Sequence, residues 1–192
     1  MFSTIFGLPA HPLIVHAVVV LVPLAALSGL VVAVWPTARA RYAPVALAIA
    51  TPALLAVPLA THTGEQLQDH VRDTALVDRH AQMAEGLLPF MALLWVGLAV
   101  LVGVQWYGRR RAAEEAGRAG RREAAAYGGR TRTTTYGQRT GWMSYVGVGA
   151  AVVTVLASLA SGVQVVRIGH SGSEAAWHGV ATGSAHSSGP HH

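Results

Sequence analysis

Residues 13–35 read LIVHAVVVLVPLAALSGLVVAVW, an apolar run without a single Asp, Glu, Lys or Arg. A helix needs about 20 such residues, at 1.5 Å rise each, to cross a hydrocarbon core of about 30 Å. This stretch is therefore read as a membrane span. Pro12 suits its first turn, where a missing N–H costs nothing, and Trp35 suits a membrane interface. His16 sits about one turn inside it. Working outward, residues 42–61, 86–106 and 142–168 are three further candidate spans. The second is punctuated by Pro44, Pro52 and Pro58, with kinks expected at the latter two. No acidic or basic residue interrupts any of the four until Arg167, at the end of the last.

Composition agrees. The 192 residues are 52% hydrophobic and 12% charged, too apolar and charge-poor for an ordinary soluble domain. The expected architecture is all-α, an integral membrane antiparallel four-helix bundle in up-down order. Residues 1–178 form one membrane domain and 179–192 a small, polar, disordered tail. Small residues recur along the fourth span at Gly147, Ala151, Thr154, Ser158, Ser161 and Gly162, as close helix packing in lipid requires. Residues 1–10 carry no basic residue and lack the charged start of a signal peptide, so the first span is expected to stay as an anchor.

Charge sets the orientation. Eleven of the 14 arginines lie in the connections after the first and third spans: Arg39 and Arg41 in one, nine from Arg109 to Arg139 in the other. The positive-inside rule makes both connections cytoplasmic and both termini extracytoplasmic, in a bacterial inner membrane. Within the cytoplasmic loop 108–141, residues 109–126 read as a helical extension and 127–141 as flexible chain. The net charge of +5 is thereby explained by orientation and anionic lipid, without nucleic acid. The chain has no Cys, which excludes disulfides, thiolate metal sites and covalent haem attachment.

All ten histidines fall on the opposite, outer side. His11 and His16 open the first span, His62 ends the second, His80 precedes the third and His170 follows the fourth. His70 and His178 lie nearby, and His186, His191 and His192 are in the tail. Leu67, Val71, Ala75, Val77 and Ala81 suggest one or two short amphipathic helices over the outer mouth. Imidazole is a common ligand for haem iron and metal ions. Two histidines on facing helices would hold a b-type haem for electron transfer with a membrane redox complex or quinone. His16 and His80 are the expected pair, with His170 as a substitute. An alternative is a zinc, copper or iron site drawn from His11, His16, His62, His80, His170, Glu65 and Glu174. A further alternative is an accessory subunit without a cofactor. Intramembrane carboxylates for an ion pathway, inverted repeats and hydrolase motifs are all missing from the sequence.

Several pieces of the chain occur together: His11-Pro12 with His16, Thr63-Gly64-Glu65, His80-Ala81, and Gly169-His170-Ser171-Gly172 with Trp177. As a set they resemble a widespread bacterial family of small four-helix membrane proteins of unknown function, whose first span opens His-Pro-x-x-x-His. The resemblance covers roughly residues 11–177, without the Arg-rich loop and tail. It implies the fold and marks these residues, and it implies no activity. His62 and His70 fall outside the family pattern.

Overall fold

The computed structural model describes residues 4–5, 8–68, 75–125 and 141–183, with side chains over 13–66, 78–121 and 141–174. A two-residue antiparallel pairing, β1 (Thr4–Ile5) with β2 (Leu8–Pro9), precedes the helices. The rest is helical: α1 (Ala10–Val34), α2 (Pro36–Gln68), α3 (Ala75–Glu85), α4 (Leu87–Ala125) and α5 (Gly141–Gly183). Four of them, α1, α2, α4 and α5, are long and apolar enough to cross a membrane. Even the shortest, at 25 residues, exceeds the roughly 30 Å of a hydrocarbon core.

The elements outrun the spans read from sequence, for local reasons. Only Trp35 separates α1 from α2. Pro36 ends the first ladder, since it has no N–H to continue it, and its fixed φ starts the next helix at once. Arg39 and Arg41 therefore lie on the first turns of α2. At its other end α2 continues as helix beyond residue 61, where the sequence ends the second span, to Gln68. The hydroxyls of Thr61 and Thr63 donate to the carbonyls of Pro58 and Leu59 at 3.0 and 2.8 Å, which ties both threonines to the preceding turn. The helix also runs unbroken through Pro44, Pro52 and Pro58.

The Arg-rich segment after residue 108 continues α4 to Ala125, as its Ala, Arg and Glu content favours. The expected flexible chain lies outside the described residues, except Gly141, which opens α5. Residues 179–183, read as the start of a disordered tail, are the last turn of α5. Ala175, Ala176 and Ala181 favour helix, and no proline stops it before Pro190. Residues 184–192 lie outside the described residues. Of the outer amphipathic segment, Leu67 belongs to α2, Val71 lies outside the described residues, and Ala75–Glu85 is a helix against α5 and α2.

Each long helix packs on two others: α1 on α2 and α5, and α4 on α2 and α5, while α1 and α4 barely touch. Cross-helix bonds fix the levels. Trp95 donates its indole N–H to Thr51 Oγ1 at 3.0 Å, and Gln105 donates to the Arg39 carbonyl at 3.1 Å. Gln164 donates to the Met83 carbonyl at 2.8 Å. Halfway along, small residues let backbones approach. A Cβ on Gly29 would lie 2.8 Å from Leu94 Cδ1 and 2.9 Å from Ser158 Oγ. One on Gly97 would meet the Thr154 hydroxyl and lie 3.4 Å from Thr154 Cα. Thr154, Ser158 and Ser161 are all buried there, the inner stripe of α5 that the spacing of small residues implies. The opposite faces stay apolar and open, with Val20, Leu27, Leu55, Leu156 and Val166 all exposed. Water would not tolerate a shell of that kind and lipid does.

Candidate functional site

The buried stripes that close the middle of the molecule separate toward the α3 end. In α1 the stripe passes from Val22 to Val18 and Val15; in α2 from Ala53 and Val57 to Ala60, Thr61 and Gly64; in α5 from Ser161 to Val165, Ile168 and Gly172. Val15 and Val18, Val57, Ala60, Thr61 and Gly64, and Val165, Ile168 and Gly172, with Leu87 of α4, wall a cavity of about 460 Å³. The fifth wall is α3, whose His80, Ala81, Ala84 and Glu85 fall on one face at helical spacing. The volume lies within the roughly 300–1,000 Å³ of small-molecule and cofactor sites, and the lining is as apolar as theirs. Its titratable groups are His80, Glu65 and Glu85.

His80 is held by a short relay. Its Nδ1 is 3.0 Å from Ser171 Oγ, and Ser171 Oγ donates to the Ile168 carbonyl at 3.0 Å. A carbonyl cannot donate, so the single hydroxyl hydrogen is committed to Ile168. The second bond then takes its hydrogen from His80, and the neutral ring is the Nδ1–H tautomer. Nε2 keeps its lone pair and has no bond to any described residue. Fixing one ring nitrogen to orient the other is how proteins prepare imidazole as a ligand. Gly172 makes room for the ring: a Cβ there would sit 3.1 Å from His80 Cε1.

Compared with protein-family models, curated proteins and solved structures, the chain matches none of them. The site must be argued from its own geometry.

Of the residues marked by sequence, the cavity gathers Gly64-Glu65, His80-Ala81, Gly169 and Gly172. Three segments far apart in the chain thus meet at one place. The expected haem pair does not meet there. His16 and His170 are exposed, and neither lines the cavity that contains His80. His170 Nε2 pairs with Glu174 Oε1 at 3.3 Å across one turn of α5. His62 Nδ1 likewise faces Glu65 Oε2 at 3.8 Å, with Gln66 at 3.3 Å from its other ring nitrogen. Exposed pairs of this kind contribute little, about 0–1 kcal/mol each. Among the described residues no three of His, Asp or Glu converge as a metal site would need. The side chain of His11 falls outside the described residues, as do those of His70, His178, His186, His191 and His192.

Sequence reasoning marked Ser171 only as part of the 169–172 segment and gave neither it nor Glu85 a place in the site. Helical phase was the available signal for Ser171, because it continues the inward series of buried Thr154, Ser158 and Ser161 and partly buried Ile168 by one more turn. Glu85 follows His80 and Ala81 on the inward face of α3, at a spacing of four from Ala81.

Proposed function

We propose that this is a multi-pass protein of the bacterial cytoplasmic membrane that holds a b-type haem in its outer cavity for electron transfer. His80 would hold the haem iron. The observation carrying this reading is the bare Nε2 of an imidazole whose other nitrogen is fixed by Ser171, set in an apolar cavity of cofactor size. It departs from the two-histidine arrangement expected from sequence, since among the described residues His80 is the one imidazole lining the cavity. When bound, the haem supplies one-electron chemistry. The chain's own residues orient the ligand, exclude water with Val15, Val18, Leu87 and Ile168, and set the carboxylates of Glu65 and Glu85 beside the apolar lining. A membrane redox complex or quinone at the same face would exchange the electrons.

The bundle is read as antiparallel, in up-down order. Supporting this, Arg39 meets Gln105 and Thr51 meets Trp95 between α2 and α4. Between α5 and α4, Gly97 meets Thr154, and Gln164 reaches Met83 at the end of α3. With the arginine-rich end cytoplasmic, the cavity and both termini lie outside. The likeness to the His-Pro-x-x-x-His family belongs to the same proposal, supported by the convergence of its marked segments.

The test is an optical spectrum of the full chain, purified in mild detergent after haem-supplemented expression, before and after dithionite, with a pyridine haemochrome assay. A Soret band that shifts on reduction and disappears in His80→Ala is expected. Full haem content in His80→Ala, or a featureless spectrum from the parent protein, would overturn the reading; the featureless spectrum would favour a cofactor-free accessory subunit.

A further inference from the structure

The opposite end of the molecule carries a second recess, unrelated to the haem reading. A groove of about 300 Å³ runs between the α1–α2 elbow and α5, lined by Ala33, Val148, Val152, Val155 and Leu156, with Arg39 as its one charged residue. Val148 and Leu156 are eight residues apart, about 12 Å along a helix, so the apolar floor matches a length of acyl chain. Arg39 is half-buried and rigidly held. Its Nε donates to the Val32 carbonyl at 2.8 Å and one terminal nitrogen to the Ala33 carbonyl, the free carbonyls at the end of α1. A guanidinium has five N–H groups, so three remain for a ligand.

Among the described residues no acidic side chain pairs with this charge. The ion pairs found among the described residues all involve histidine at the other end of the bundle. A second positive charge sits close by, where Arg109 donates to the carbonyl of Ala40, the next residue after Arg39. An uncompensated, pre-oriented guanidinium over an apolar trough calls for an amphiphile with an anionic head. We propose that the groove binds one anionic phospholipid, its acyl chain along α5 from Val148 to Leu156 and its phosphate on Arg39.

The experiment is native mass spectrometry of the full chain in detergent, titrated separately with phosphatidylglycerol and phosphatidylcholine of identical chains. One saturable phosphatidylglycerol is expected, with weaker phosphatidylcholine binding. Val152→Phe, at an exposed position that should leave folding intact, fills the trough and should remove the saturable site. Arg39→Gln should weaken it about fivefold, the effect of one arginine beside an anionic head. Arg39 also caps α1, so circular dichroism melts accompany that variant, and Val152→Phe stands as the independent test. Equal binding of the two lipids would overturn the proposal. So would phosphatidylglycerol binding that never saturates and survives Val152→Phe, which would show diffuse attraction to the arginine collar.

Discussion

The middle of the bundle and its α3 end are built by the same helices under opposite rules. At the level of Gly29, Gly97 and Thr154 the backbones are so close that an added methyl group has nowhere to go. A few turns away the same faces enclose about 460 Å³ of open space, and a short fifth helix turns one imidazole into it. Tight packing of small residues is what lipid-embedded helices need to associate. The open end is unexplained by association, and it is there that a polar side chain is oriented by a hydrogen-bond relay. The contrast separates residues that hold the helices together from residues that serve a ligand.

The strongest way to break the contrast is to overpack the tight level. Gly97→Val should lower stability by about 1–3 kcal/mol, seen as a lower unfolding temperature in detergent. Gly162→Ala should be neutral or slightly stabilising, since no atom lies within 4 Å of the added carbon. A parent-like melt for Gly97→Val would mean the helices are less closely packed than described. At the open end, Ser171→Ala should leave the melt almost unchanged and weaken cofactor retention roughly 10–100-fold, the usual effect of removing a partner that orients a ligating imidazole. Titration of haem into the apo-protein measures it, and undiminished affinity would refute the relay. Smaller still is Ser158→Ala. Its buried hydroxyl has no partner among the described residues, so deletion should shift stability by no more than about 1 kcal/mol, toward stabilisation. A larger loss in the melt would reveal a bond to that hydroxyl. Smallest of all, His16→Ala and His170→Ala should change neither melt nor spectrum. Loss of cofactor in either would restore the two-histidine arrangement.

The last expectation shows how far sequence could go. Depth was legible: span lengths, flanking aromatics and arginine runs assigned His16, His62, His80 and His170 to one end. Azimuth was not followed. His16 precedes Val20, Leu24, Leu27 and Val31 at spacings of four, four, three and four, all exposed. His170 likewise extends the exposed series Leu156, Leu159, Val163 and Val166, and His62 follows Leu55 and Leu59. Helical phase thus turns three of the four histidines toward lipid or solvent and leaves Ser171, one residue from His170, facing inward. The phase of α3 could not be inherited from α2, because residues 69–74 separate the two, nor read straight across the break at Gly86 that sets it off from α4. Its docking against α5 is a tertiary fact: it depends on Gln164 reaching Met83 and on the space left by Gly172.

The single-residue elbow at Trp35 bears on biogenesis. With a single residue between Val34 and Pro36, the first two helices are expected to insert together rather than choose their orientations separately during synthesis. A flexible ten-residue insert after Trp35 should uncouple them, and glycosylation mapping of the two ends would register mixed orientations where the parent gives one. A uniform pattern from the insert variant would assign orientation to the arginines alone.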